Sequence, residues 1–423
     1  VRKETVHGFL PGFAETIAGP TARLQPVAGV IVTRDMWMSR TSLEASVLPP
    51  AVPRAVAAAV PARNEVMAIG ICLAALDQAA RVAEGPVTVV VLVNNSGDAT
   101  AANARAFVPA AMTVSVAEVD LPAADAHAGG ARRAALDRAT ALLPADGILM
   151  TTDADSTVDP DWIVANLAEL ADADAVAGVV TFDEATRASL PPLPLRALEW
   201  RLADLHARLA SLIDPRPHDP WPNHIWAWGA SLAVTLDAYR RIGGLPPVPI
   251  AEDRALATAV EEHDLRLRHS HAPVVYTSAR TRGRAPGGVA DLMRSYAVDD
   301  TALCDAALEP TAALVRRLEW RSTLRALFAA HDARGFGAYW REIEAAAPGL
   351  GRTRLAPAAL ANEVALAERL VRRLERAARR GDSRGPAACA SPSHSPPSHR
   401  ETPAPPSNRR ADNRASVRAS GPA

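Results

Sequence analysis

The residues best placed to do chemistry are carboxylates. Asp153-Ala154-Asp155 sets two of them one residue apart, after the apolar run Gly147-Ile148-Leu149-Met150 and before Ser156. In a loop, that spacing lets both reach one hard cation through oxygen. Alone the pattern has low specificity, because Asp159-Pro160-Asp161 and Asp172-Ala173-Asp174 repeat it nearby. Position separates the three. Asp159 before Pro160 reads as a helix cap with proline in the first turn, Asp172 and Asp174 fall in the loop after that helix, and only the first pair follows a buried strand. Glu252-Asp253 opens a helix-like stretch to Glu262, a place the helix dipole favours for acids. Arg280, Arg282 and Arg284 share a glycine-bearing loop. Their guanidinium forks match phosphate oxygens, and an exposed basic loop is the even alternative. Trp226 and Trp228 offer indole faces for sugar stacking or for ordinary core packing.

Elements of a definite kind must position these groups. Ala55–Val60 is a short small-apolar run stopped by Pro61, which predicts a buried parallel strand. From Asn64-Glu65 onward, Ile69, Leu73 and Leu76 follow helical spacing. Val87–Val93 predicts a second buried strand, Thr113–Val119 a third and Gly147–Met150 a fourth, with a helix over Gly130–Leu143. Repeated strand, loop and helix units imply an α/β domain with a mainly parallel sheet. In such sheets ligands bind at the carboxyl ends of the strands. Arg63-Asn64-Glu65, Asn95-Ser96-Gly97-Asp98 and Asp153-Ala154-Asp155 all fall there. Further on, a helix is expected over Leu195–Leu212, a strand over Pro273–Tyr276 and mostly helix from Val289 to Arg380.

Composition narrows the class. In 423 residues, 46 Lys plus Arg oppose 47 Asp plus Glu for a net charge of −1, which argues against a dedicated nucleic-acid binder. Lys3 is the lone lysine, so arginine is simply this chain's default cation. Cys72, Cys304 and Cys389 are too few and scattered for a disulfide framework or zinc cluster. No apolar run is long enough for a membrane span or for a signal peptide behind Arg2-Lys3, which points to a cytoplasmic protein. The Arg-rich stretch at 369–380 leaves peripheral membrane contact open, a solvated helix face being the simpler account.

Taken together, Val60-Pro61-Ala62-Arg63-Asn64-Glu65, the Asn/Asp-rich second loop, Asp153-x-Asp155 and Ala251-Glu252-Asp253-Arg254-Ala255-Leu256 form an ordered set. Gly229-Ala230-Ser231-Leu232-Ala233 with Tyr239–Gly244 adds a fifth piece. The set resembles the family 2 glycosyltransferases, enzymes of the GT-A fold that use nucleotide-diphosphate sugars, and the resemblance runs from about Arg54 to Arg284. It implies that Pro61, Ala62, Arg63, Asn64 and Glu65 border the nucleobase and ribose. It implies the same for Asn95 and Asp98, although the family commonly has paired acids where this chain has Asn94-Asn95-Ser96. Amides donate as well as accept, which leaves the base undefined. Gly129-Gly130-Ala131-Arg132-Arg133 resembles the family's helix start, making Arg132 a candidate diphosphate or base contact and otherwise a solvated helix residue.

The same resemblance implies Asp153 on the ribose side, Asp155 on Mg²⁺ or Mn²⁺, and Asp253 as general base for one inverting displacement, with Glu252 supporting it or serving as a helix-start acid. His271 is either a third metal ligand or a structural histidine. Arg280, Arg282 and Arg284 would close over the diphosphate, and Trp226 or Trp228 would touch the acceptor. The expected organisation is an irregular arm at 1–52, a GT-A catalytic domain at 53–288, a helical extension at 289–380 and a disordered Pro/Ser/Arg tail at 381–423. The expected reaction moves a hexose from a UDP- or GDP-sugar to a hydroxyl on a small molecule or carrier. Two rivals stand beside it. A sugar-phosphate nucleotidyltransferase would open with a Gly-rich loop, which Pro61–Glu65 lacks, and a non-catalytic scaffold of the same fold would not need Asp153, Asp155 and Asp253 together.

Overall fold

The computed structural model describes residues 54–189, 194–280, 294, 301–329 and 335–380. The expected arm at 1–52 and tail at 381–423 lie outside the described residues, as do Arg282 and Arg284. The strands are β1 (Val56–Ala62), β2 (Val87–Asn94), β3 (Thr113–Val119), β4 (Ile148–Thr151), β5 (Thr157–Val158), β6 (Ala175–Thr181), β7 (Leu232–Thr235) and β8 (Leu267–Tyr276). They join one sheet in the order β3-β2-β1-β4-β7-β6-β8-β5. Pairing is parallel except where β7 runs against β4 and β6, and β5 against β8.

Alternation along the inner strands builds a core on each side of the sheet. Val56, Ala58, Val60 and Ala62 of β1 face one cluster with α1 (Ile69–Val82), α2 (Thr100–Ala106) and α4 (Trp162–Glu169). Ala57 and Ala59 face the other, with α3 (Ala128–Thr140), α7 (Leu236–Arg241) and α8 (Glu252–Glu262). Parallel strands covered on both faces explain why β1 and β2 are almost continuously apolar. The mainly parallel α/β sheet is therefore as the sequence predicts.

Register brings the loops together. Ala59 pairs with Thr151 and Ala62 with Val93, so the chain leaves β1, β2 and β4 along one edge. β1 runs through Pro61 rather than stopping before it, since β4 pairs only as far as Ala59 and leaves that flank of β1 without a ladder to break.

After α5 (Glu184–Ser189), α6 (Pro194–Ile213) carries a third core. Leu202, Leu205 and Leu209 meet Trp226, Leu308, Leu355 and the inner face of α11 (Leu360–Arg379). Helices α9 (Thr311–Ala329) and α10 (Phe336–Ala346) precede α11. None of the described helices is long and apolar enough to cross a membrane.

Candidate active site

The β1 and β2 loops are stitched to each other. Asn64 takes a left-handed backbone at φ 54°, donates its N–H to Ser96 Oγ at 2.8 Å and accepts from Gly97 N–H at 2.9 Å. Glu65 N–H donates to Thr100 Oγ1 at 2.7 Å and Val66 N–H to Asp98 Oδ2 at 3.2 Å. This delays α1 to Ile69, five residues past the sequence-predicted start at Asn64. Arg63 is exposed, Pro61 half-buried and Ala62 buried.

Two of the expected base contacts are committed to the loops themselves. Asp98 accepts from Val66 N–H and, through Oδ1, from Thr100 N–H at 3.0 Å, so it fixes the start of α2. Asn95 donates to Leu121 O at 3.0 Å and accepts from Leu121 N–H at 3.3 Å. An amide can do both, whereas an ionised carboxylate can only accept. That is the physical reason this chain carries asparagine there.

Arg132 corrects the sequence expectation most. It is not a solvated helix residue but is buried at 5% exposure. Its Nε donates to Glu252 Oε1 at 3.0 Å, Nη1 to Thr151 Oγ1 and Gly229 O at 2.9 and 2.8 Å, and Nη2 to Asp153 Oδ1 at 2.7 Å. Burial works against its charge, yet Asp153 and Glu252 outweigh burial and hold the pKa above the usual guanidinium value. Gly229 leaves the space required, because a Cβ there would lie 2.6 Å from Arg132 Nη2. Gly129 does likewise at the start of α3, where a Cβ would meet Val248 O at 2.1 Å.

Asp155 is held from the β8 side. Its Oδ2 accepts from Ser278 Oγ at 2.7 Å and pairs with Arg280 at 2.9 Å, while Arg280 also pairs with buried Glu65 at 2.8 Å. Burial and the neighbouring Asp153 raise the Asp155 pKa, partly offset by Arg280 and the Ser278 hydrogen bond. Sequence reasoning missed Ser278, which signals only as the residue two positions before Arg280.

Asp253 stands at the first turn of α8, after Ala251 in a left-handed conformation at φ 60°. Its Oδ2 accepts from Gly229 N–H at 3.0 Å and Oδ1 from Arg254 N–H at 2.7 Å. Burial and then the Glu252 charge raise its pKa, against the pull of those two N–H groups and Arg132. The tryptophans divide. Trp226 is fully buried in the α6 core, whereas Trp228, one residue before Gly229, packs against the same core and is only partly buried.

His271 is not brought to Asp155. Its ring lies 5.2 Å from His224, which stacks on Trp228 at 5.8 Å, and the seven residues from His271 to Ser278 span roughly 20 Å if extended. Burial lowers its pKa, and its Nδ1 is enclosed without a hydrogen-bond partner. Among the described residues no group of three His, Cys, Asp or Glu side chains could enclose a metal. What the strand ends do gather is acid. Asp153, Asp155, Glu65, Glu252 and Asp253 face the guanidiniums of Arg132 and Arg280, with Arg63 turned to solvent. Hard carboxylate oxygens in excess fit Mg²⁺ or Mn²⁺, with the remaining ligands left to a bound anion and water.

No curated protein matches this sequence. Among solved structures, the mannosyltransferase PcManGT from Pyrobaculum calidifontis in complex with GDP-Man and Mn²⁺ is 15% identical over 80% of this chain and 82% of that one, with a TM-score of 0.39. S. aureus TarS 1–349 in complex with UDP is 16% identical over 65% and 72%, with a TM-score of 0.36. Glucosyl-3-phosphoglycerate synthase from Mycobacterium tuberculosis, in complex with Mn²⁺, uridine-diphosphate and phosphoglyceric acid, is 18% identical over 64% and 78%, with a TM-score of 0.35. Residues 58–217, which hold the β1 and β2 loops, Arg132 and the Asp153-x-Asp155 pair, match the family model described as Glycosyl transferase family 2. Over those residues, and no further, the chain is similar to the family 2 glycosyl transferases.

Proposed function

We propose that this chain is a glycosyltransferase that moves a hexose from a UDP- or GDP-sugar to a hydroxyl acceptor with inversion, assisted by Mg²⁺ or Mn²⁺, with Asp253 as general base. The observation that carries the reading is the Arg132 junction. One buried guanidinium ties Asp153 after β4 to Glu252 beside Asp253, so the donor-side acids and the base belong to one rigid unit. Catalysis by placement needs that rigidity.

The acid excess supports a divalent cation as cofactor. A diphosphate brought against five carboxylates and two guanidiniums is repelled unless a divalent cation accompanies it. Asp155 and the outer oxygen of Asp153 would hold that cation, which supplies charge neutralisation on the departing diphosphate. The chain's own residues do the rest. Asp253, oriented through Gly229 N–H, takes the acceptor hydroxyl proton on Oδ2 or Oδ1 as that oxygen attacks the anomeric carbon. Trp228 borders the acceptor side, with the small-molecule or carrier hydroxyl entering past it. Arg63 and the Asn64-Glu65 turn flank the nucleoside, and Arg280, paired with Glu65 and Asp155 in the free protein, turns to the diphosphate, with Arg282 and Arg284, two and four positions later in the sequence, as its further contacts. The catalytic unit is taken as 53–288, followed by helices to 380.

Asp253→Asn tests the base. Release of UDP or GDP from the sugar nucleotide, with water as acceptor, should fall by roughly a hundredfold or more while nucleotide affinity stays unchanged. Retained turnover would remove Asp253 from the role.

A further inference from the structure

Helix α11 sorts its charges between two faces. Its acids turn toward neighbouring elements: Glu368 pairs with Arg201 and Glu375 with Arg208 of α6 at 3.1 and 2.8 Å, and Glu363 accepts from Thr311 N–H at 2.7 Å. Ala367, Leu370, Val371 and Leu374 pack into the same core. Arg369, Arg372, Arg373, Arg376 and Arg380 recur at i, i+3, i+4, i+7 and i+11, which is one stripe at helical spacing. All five are exposed, and they alone line an open cradle of about 310 Å³. Arg372 shares Glu368 at 3.5 Å, while no ion pair holds Arg369, Arg373 or Arg376 among the described residues. Like charges at i, i+3 and i, i+4 repel one another, so the row is an electrostatic debt of the free protein that an external anion relieves.

We propose that this stripe is a docking face for an anionic membrane surface, with the guanidiniums seated among lipid phosphate headgroups. The row is straight and about 16 Å long at 1.5 Å per residue, a shape suited to a plane of phosphates. It includes no aromatic side chain on which nucleobases could stack. The chain's net charge of −1 also gives no wider basic surface for wrapping a nucleic acid. The sequence that follows, 381–423, adds six arginines against three acids. The leucines of α11 are held against α6, so the helix offers charge and no apolar wedge. Binding of this kind is reversible and falls with salt.

The test is flotation of the full chain with vesicles of phosphatidylcholine alone or with about 30% phosphatidylglycerol, at about 50 and about 500 mM salt. At low salt the anionic vesicles should capture at least about ten times more protein than the neutral ones, and high salt should abolish the difference. Changing Arg372, Arg373 and Arg376 together to Glu should weaken capture by roughly a hundredfold or more, and to Gln by less, with thermal unfolding and UDP or GDP binding unchanged. Equal capture by neutral vesicles, or wild-type capture by the Gln and Glu variants, would overturn the proposal. So would tighter binding to duplex DNA that the same substitutions remove.

Discussion

Arg132 Nε donates to Glu252 Oε1 at 3.0 Å across 120 positions of sequence, while Nη2 of the same side chain holds Asp153 at 2.7 Å. The pair fixes the helix that carries Asp253 against the strand that ends in the acid pair. Everything proposed for the site depends on that buried joint.

Arg132→Met removes one partner and leaves Glu252 enclosed and uncompensated beside Asp253. Loss of one side of a buried pair costs about 3–5 kcal/mol. Urea unfolding should show a loss of that order, with nucleotide affinity reduced as Asp153 loses its anchor. A stability unchanged from wild type would show that the joint is not structural.

Asn95→Asp preserves shape but loses the donor to Leu121 O and sets a carboxylate against that carbonyl. The expected cost is about 1–3 kcal/mol, read by thermal unfolding.

The sequence carried the sheet further than the site. β1, β2 and β4 are legible because both their faces are buried, which makes them nearly all apolar. The first half of β8 was not, since Arg268, His269 and Ser270 are polar. They are satisfied by Glu169, Asp219 and the loop that carries Asp219, contacts 46 to 101 positions away in sequence. The same distance hides Arg132. Its type and place at a helix start are visible, but Thr151, Asp153, Gly229 and Glu252 come from four separate segments. The loop-holding roles of Asn95 and Asp98 are hidden for the converse reason, since the backbone groups they bind leave no side-chain signal.

The pH dependence of turnover follows from Asp253, which must be ionised to accept a proton. Burial and Glu252 raise its pKa, so the acid limb of donor hydrolysis should lie above the ordinary aspartate value of about 3.9. Glu252→Gln removes the adjacent charge and frees the field of Arg132, and both effects move the limb to lower pH. A limb that stays in place or rises would contradict the assignment.

Stability should fall in acid through a different carboxylate. Burial alone would raise Glu261, but Arg216 and Arg321 overcome it and hold its pKa at about 2. A carboxylate depressed in the folded state stabilises fully above its unfolded value of about 4.3 and loses that contribution as pH falls through the folded one. Unfolding free energy should therefore decline between pH about 4.3 and about 2, and Arg216→Met should flatten that decline.

The most direct measurement is calorimetric binding of UDP and GDP to the full chain, with Mn²⁺ and then with EDTA, for the wild type and Asp155→Asn. Metal-dependent binding of one nucleotide, weakened at least about tenfold by EDTA and by the substitution, is the predicted result. Binding of neither nucleotide by a folded protein, or binding indifferent to metal and to Asp155, would contradict the reading of the acid-lined strand ends as a metal-assisted sugar-nucleotide site.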